Sequence, residues 1–321
     1  MKEKTMKEKI MQVYGKAGVL IILLLMVIIL TVLRPDTFFT YRNLINIVRQ
    51  VSFYAMVGMG AMVVLVGGDF DLSAGSLIGL VSILTTMPLA ANANLPLIVP
   101  FLIAVAAGIV VGVINGVLVA YCGMPAFIAT LGMQILLRGL ALYISNGRPI
   151  NNLPSGFTFL GGGSFGIVPV PIIILIILAL ITWYMMKYTR IGRHIYAIGG
   201  NAQAAVVSGV NAKALKVFTF IFAGITAAIA GMVLTARVAS GNASSGEGYE
   251  LQAIAGCVIG GVSLNGGVGS VYGVICGVLV IGVLNNGMDL MNVSGYMQQI
   301  AQGIIIIAAV LLDVVRAKTA K

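Results

Sequence analysis

Long apolar runs alternate with short polar segments along the 321 residues of the chain. A helix needs about 20 apolar residues to cross a bilayer, and most of the runs approach that length. Several runs are rich in glycine and one is short, so the pattern supports about eight to ten spans, and we expect ten. The sequence therefore predicts an all-α polytopic membrane protein. The ten runs cover residues 17–33, 51–66, 73–91, 97–121, 126–144, 167–186, 217–236, 251–264, 269–284 and 295–312.

The composition excludes soluble enzymes, nucleic-acid binders and disordered proteins. Hydrophobic residues make up 60% of the chain and charged residues only 9%, whereas an average soluble protein has about 25% charged residues. The net charge of +10 does not indicate nucleic-acid binding, because the basic residues lie in short polar segments between the apolar runs. Lipid is the expected solvent for most of the surface, and Lys and Arg are expected to fix the orientation.

The distribution of basic residues predicts that orientation. Five lie in segment 1–16, five in 187–216 and three in the C-terminal tail, all on one side of a ten-span protein, whereas four arginines fall on the other side. Because cytoplasmic segments carry the excess of Lys and Arg, we expect both termini and the 187–216 loop in the cytoplasm. The chain then divides into an N-terminal tail (1–16), a single transmembrane domain (17–313) and a C-terminal tail (314–321). The first run lacks a small-residue cleavage site and is interpreted as an uncleaved span.

The sequence contains no recognisable catalytic or metal-binding pattern. The three cysteines lie alone in apolar segments, far from the only histidine, His194, so disulfide and metal sites have little support. The string nearest to a phosphate-binding loop, 241–248, has Glu and Gly where such a loop needs Lys and Ser or Thr. We therefore expect no enzymatic activity, no metal and no cofactor in this chain.

The acidic residues argue against ion-coupled transport. Carboxylates that couple transport to protons or sodium lie in mid-membrane, whereas each acid here lies near the end of a predicted span or in a loop. Asp69 and Asp71 precede the run at 73–91, where they are expected to cap the helix and to offset its dipole. The sequence assigns no partner to Arg138, the one cation well inside an apolar run.

Uncharged amide side chains supply the polarity of the predicted spans. Two interpretations are open: hydrogen bonds between helices, or a path wall that exchanges hydrogen bonds with a neutral, polyhydroxylated solute. The amides considered for the path are Asn115, Gln134, Asn285, Asn286, Gln298 and Gln302.

Two further patterns concern packing and symmetry. Small residues recur every fourth position at 104–116 and 269–277, which is typical of close helix packing in membranes. The Gly-rich segments 66–73 and 259–266 resemble each other, so an internal repeat, common in transporters, is an open interpretation.

The longest predicted cytoplasmic loop, 190–216, is too rich in Ala and Val for a solvated linker and too polar to span. Residues 202–208 are predicted to form a short helix that Gly209 ends. Docking to a soluble partner and binding along the membrane surface both fit this pattern.

The 203–209 segment, Gln-Ala-Ala-Val-Val-Ser-Gly, resembles the EAA---G motif of ABC importer permeases, with Gln203 in place of the usual acid. The longer string GRHIYAIGGNAQAAVVSGVNAKALK resembles the corresponding loop of bacterial monosaccharide permeases of the ribose, galactose and xylose group. Four more strings resemble that family, and together the similarity covers nearly the whole chain. They are TFFTYRNLINIVRQ (37–50), VGGDFDLSAGSLIGL (66–80), PAFIATLGMQILLRG (125–139) and YELQAIAGCVIGGVSLNGGVG (249–269).

The resemblance implies a type II-like ABC importer in the bacterial inner membrane. It implies a homodimeric pore, a cytoplasmic tandem ATP-binding subunit that uses ATP and Mg²⁺, and a periplasmic or lipid-anchored sugar-binding protein. The only other expected partner is membrane lipid. By the same resemblance, the EAA-like loop contacts the ATPase, and the acids of the outer loop, Glu247 and Glu250, are where a binding protein would dock. The coupling residues implied are Gly200, Asn201, Gln203, Ala204, Ala205 and Gly209.

The implied function is uptake of a monosaccharide, with ribose favoured, by alternating access driven from outside this chain. A secondary carrier or channel for a small neutral solute is the alternative. That alternative predicts carboxylates within the membrane or transport that persists without ATP.

Overall fold

A computed structural model describes residues 6–319, with side chains described for 18–308, 310 and 311. The regular secondary structure of the described residues is helical except for one short hairpin, β1 (Ser164–Phe165) with β2 (Val168–Pro169). Residues 1–5 of the predicted N-terminal tail and residues 320–321 lie outside the described part. The helices are α1 Met6–Leu33, α2 Tyr41–Val66, α3 Ala74–Ala91, α4 Ile98–Ala120, α5 Ala126–Ser145, α6 Ser155–Gly162, α7 Val170–Tyr188, α8 Arg190–Gly200, α9 Ala202–Val207, α10 Ala212–Val238, α11 Tyr249–Ile259, α12 Val271–Leu290 and α13 Gly295–Thr319.

Each of the ten apolar runs coincides with one of these helices. Within the described residues, seven helices are long and apolar enough to cross a membrane: α2, α3, α4, α5, α7, α10 and α12. The run at 251–264 gives α11, which has only 11 residues. At 1.5 Å per residue that helix is far shorter than the hydrocarbon core of about 30 Å. The protein is thus a polytopic helical membrane protein.

Close contacts between small residues hold α4 against α10. A methyl group on Gly112 would lie 2.5 Å from the Cα of Ile221, and one on Gly116 would lie 2.6 Å from the Cα of Val217. Gly273 and Gly277 of α12 lie in the same way against the backbone of α11 at Gly260. The two small-residue patterns therefore mark helix interfaces, as expected where packing drives association.

Two non-helical segments enter the buried interior. Segment 67–73 joins α2 to α3, and Asp71 and Ser73 within it are buried. Segment 239–248 joins α10 to α11 and runs along α3: Asn242 N donates to Ser82 Oγ at 3.0 Å. Residues 243 and 246 of that segment are also buried. Irregular backbone at membrane depth is tolerated only where protein surrounds it or it lines a cavity.

Candidate coupling and translocation sites

The coupling segment, 189–211, forms two helices with well-defined caps. Thr189 Oγ1 accepts a hydrogen bond of 3.2 Å from Gly192 N at the start of α8. Asn201 Oδ1 accepts one of 2.9 Å from Ala204 N at the start of α9. Gly209 follows α9 with a φ of +85°, a conformation that favours glycine. The predicted short helix, ended by Gly209, is confirmed.

Most of the predicted coupling residues lie on the surface of this segment. Ala205 is buried, whereas the other five, Gly200, Asn201, Gln203, Ala204 and Gly209, are exposed. Val207, which the sequence reasoning did not select, is 88% exposed. The surface thus combines small, polar and apolar groups. Nothing in the described chain covers it.

The C-terminal end of α8 lies against the two Gly-rich loops that precede α3 and α12. A methyl group on Gly267 would lie 2.8 Å from the Cα of Gly200, and one on Gly266 would lie 3.0 Å from the Cα of Gly68 and 2.9 Å from that of Gly199. We call these five residues, Gly68, Gly199, Gly200, Gly266 and Gly267, the glycine junction. The two segments that resemble each other in sequence, 66–73 and 259–266, therefore meet here, which the sequence did not predict.

Hydrogen bonds reinforce the glycine junction. Gly267 N donates to the carbonyl of Val66 at 2.9 Å. Tyr196 of α8 donates its hydroxyl to the carbonyl of Gly269 at 2.8 Å. Burial raises the pKa of Tyr196, so the phenol keeps the proton that it donates. α8 is therefore in direct contact with the backbone before α12, and its C-terminal end adjoins the backbone before α3.

The two aspartates of segment 67–73 have roles different from those expected. Asp69 forms an ion pair with Lys216 of α10 at 2.8 Å. Asp71 Oδ1 accepts from both the amide and the hydroxyl of Ser73, at 2.9 and 2.6 Å. Ser73 is the N-cap residue of α3. Asp71 therefore holds the entry to α3, but Asp69 belongs to a link between segments and not to a helix cap.

The six candidate path amides fall into separate groups. Asn115 donates to Ser73 Oγ at 2.9 Å, and Gln134 donates to Glu250 Oε1 at 2.9 Å. Asn285 connects Gln252 and Gln302 through bonds of 3.3 and 3.4 Å. Every one of the six makes a hydrogen bond to another side chain, so interhelical bonding describes this conformation. The two remaining amides, Asn286 and Gln298, form a reciprocal pair of bonds with Asn43 at 2.8 and 2.9 Å and one bond to Asp289 at 2.8 Å, respectively.

Asn285 and Gln302 also line a small apolar groove between α11, α12 and α13 with Gln252. Apart from the amides of Gln252, Asn285 and Gln302, the groove is lined by aliphatic side chains. Among the six, these two are the amides that share a cavity.

The acids of the 239–250 region differ in exposure. Glu247 is exposed, whereas Glu250 is only 4% exposed. In this conformation a docking partner can reach Glu247 but not Glu250. The sequence placed both acids on an outer loop because a Gly-, Ser- and Asn-rich segment carries no apolar periodicity that would reveal its inward path.

Arg138 explains how that segment is held. Its guanidinium donates to the carbonyls of Ala243, Ser245 and Gly75. Arginine presents five donors in a fixed fork, so one side chain can satisfy several backbone carbonyls at once. Arg138 thus joins α5 to α3 and to the inward-folded segment. No sequence pattern pointed to these carbonyl partners.

The comparisons with known proteins identify the family. Residues 43–310 match a family described as the permease component of branched-chain amino acid transport systems. The ribose import permease protein RbsC of Escherichia coli strain K12 is 41% identical over 301 residues, which is 92% of each chain. The same permease of Bacillus subtilis strain 168 is 40% identical over 303 residues, covering 94% of this chain and 93% of the relative.

A galactose/methyl galactoside import permease, MglC of Escherichia coli strain K12, is 37% identical over 318 residues, or 94% of each chain. No solved structure matches the chain. The resemblance to monosaccharide permeases, expected from the sequence, is confirmed.

Proposed function

We propose a function for this chain from its family: it belongs to the permease components of branched-chain amino acid transport systems. In this proposal it is the membrane permease of an ABC importer for a monosaccharide, and ribose is the substrate. The family description refers to amino acids, whereas the relatives that match this chain over nearly their full length are sugar permeases. Ribose is chosen because the ribose permeases share 40 to 41% identity with this chain, against 37% for the galactoside permease.

The observation that carries the transport mechanism is the glycine junction. It connects the exposed α8–α9 surface to segments 67–73 and 260–270, which lead into the interior. A separate ATPase that pulls on α8 and α9 would thereby move the starts of α3 and α12 together. In this proposal the exposed residues of α9 and Gly209 contact the ATPase. ATP is hydrolysed by that partner and not by this chain.

The assembly follows the same proposal. Two copies of the chain form the pore, a tandem ATP-binding subunit binds inside with its Mg²⁺ and ATP, and a sugar-binding protein docks outside near Glu247. Both termini lie in the cytoplasm, and α1, α13 and the half-length α11 complete ten membrane-inserted elements. We assign the groove at Asn285 and Gln302 to the sugar path, because its amides are the polar groups of an otherwise aliphatic wall.

Purification of tagged protein from its native membranes tests the partnership. We expect a stoichiometric tandem ATPase to co-purify, and Gly209→Asp to lose it while staying in the membrane. If the protein is isolated alone and both forms behave alike, the importer proposal is wrong.

A secondary carrier is the second candidate, because Asp71 and Glu250 are buried carboxylates of the kind that ion coupling uses. It predicts sugar flux in vesicles without ATP. ATP-dependent flux that stops when the nucleotide is omitted excludes it.

A further inference from the structure

Asp71 and Glu250 line the same small cavity. The two carboxylates come from segment 67–73 and from α11, and their side chains are 7% and 4% exposed. The cavity is otherwise lined by Val57, Ala61, Ala74 and Ala223, so its wall is apolar apart from the acids. Its volume of about 10 Å³ is room for roughly one water-sized sphere.

Oxygen atoms without partners lie at and beside this cavity. Glu250 uses Oε1 to accept from Gln134, while its buried Oε2 has no hydrogen-bond partner in the described part of the chain. Asn115 Oδ1 is also buried without a partner, although its amide nitrogen is bonded to Ser73. Asp71 uses only Oδ1 for its bonds with Ser73. The unused groups are therefore all oxygen acceptors.

The charge around the cavity is not balanced by contacts. Within the described residues, the ion pair found is Lys216 with Asp69, and neither Asp71 nor Glu250 has one. Arg138 is the nearby cation, but its hydrogen bonds go to backbone carbonyls. With both carboxyl groups ionised, they and the guanidinium would carry a net charge of about −1, and uncompensated charge in an apolar interior is costly.

We propose that this cavity binds one sodium ion, held by the free carboxylate oxygens of Asp71 and Glu250. Hard cations prefer oxygen ligands, a monovalent ion balances the net charge, and the cavity has the size of a single small ion. The ion would connect segment 67–73 to α11. The site concerns this chain alone and does not depend on which solute it transports.

Thermal unfolding of the purified full-length protein tests the site. The transition is measured against NaCl, with ionic strength kept constant by choline chloride. We expect a saturable, sodium-specific rise of the unfolding temperature. Glu250→Gln and Asp71→Asn should each raise the half-saturating sodium concentration by about tenfold or more, because each removes a charged ligand. Asp36→Asn is the control: it removes an exposed acid that does not line the cavity and should leave the response unchanged.

Equilibrium binding of ²²Na⁺ to the same samples gives a second readout, which holds even if a variant is less stable. We expect one ion per chain in the wild type and, at the sodium concentration that half-saturates the wild type, little binding in Glu250→Gln. Equal stabilisation by choline chloride, stabilisation that follows pH without sodium, or sodium binding unchanged in both Glu250→Gln and Asp71→Asn would overturn the proposal.

Discussion

Lys216 Nζ lies 2.8 Å from Asp69 Oδ2 and 2.9 Å from Asp69 Oδ1. The pair connects the beginning of α10, immediately after the coupling segment, to segment 67–73. Asp69 is largely buried, with 9% of its side chain exposed, whereas 28% of the Lys216 side chain is exposed. The ion pair is therefore a second link, beside the glycine junction, between segment 67–73 and the helices around the 190–216 loop.

Breaking this pair should reduce coupling as well as stability. We expect Asp69→Asn or Lys216→Gln to lower the free energy of unfolding by about 1–2 kcal/mol, between the values for exposed and buried pairs. The double variant should cost less than the sum of the two, because each single change removes the same interaction. Lys213→Gln, at an exposed position one turn earlier, is the control. Additive effects in the cycle would show that the two side chains do not interact.

A methyl group added at a close backbone contact of the glycine junction should disrupt coupling. We expect Gly267→Ala to lose most of the ATP-driven uptake, since its new methyl group would lie 2.8 Å from the backbone of Gly200. Gly261→Ala is the matched control: φ is +88° there and +71° at Gly267, but no atom lies within 4 Å of the new methyl group. Both variants carry backbone strain of about 1–2 kcal/mol. Equal uptake by the two would mean that the close contact has no role in coupling.

Two substitutions at Gly209 can distinguish the effect of backbone strain from the effect of surface charge. Its φ of +85° disfavours most side chains, and a Cβ there points into open space. Asn and Asp both tolerate this conformation better than other residues do, so they differ mainly in charge. We expect Gly209→Asp to abolish uptake while the protein stays in the membrane, and Gly209→Asn to retain much of it. Loss of uptake in both variants would assign the defect to strain.

Arg138 should stabilise the inward-folded segment 239–248. We expect Arg138→Gln to lower the free energy of unfolding by about 3 kcal/mol or more, because three carbonyls lose a charged donor. Arg148→Gln, at an exposed position three residues after the end of α5, should change the free energy of unfolding by less than about 0.5 kcal/mol. Thiol labelling of Ala243→Cys should also become faster in the Arg138→Gln background. Unchanged labelling would show that the segment is held by other contacts.

The apolar runs predicted the seven span-length helices, because burial in lipid or protein needs continuous apolar runs, but they did not predict α6 or α8. The turn and cap residues of the 190–216 loop are a separate signal. They predicted α9 and its end at Gly209, where cap chemistry is local to the chain. Neither signal predicted the path of segment 239–248, since polar, Gly-rich backbone enters the interior there only because Arg138 and Ser82 satisfy its polar groups. Partners of that kind are distant in sequence.

The same reason explains the misplaced acids. Asp69, Asp71 and Glu250 lie at the ends of apolar runs, which in sequence resemble surface positions. Their burial depends on how two loops fold inward against α3, α5 and α10. The coupling residues, by contrast, were found from a local motif, and their role on the ATPase stays a prediction.

Uptake by reconstituted protein tests the central proposal most directly. The chain is placed in proteoliposomes with its ATPase and sugar-binding protein, and accumulation of labelled ribose is followed with and without ATP on the ATPase side. We predict accumulation that requires ATP and the binding protein and that is lost in Gly267→Ala but kept in Gly261→Ala. Ribose flux of equal rate without ATP would contradict the account and would favour a carrier.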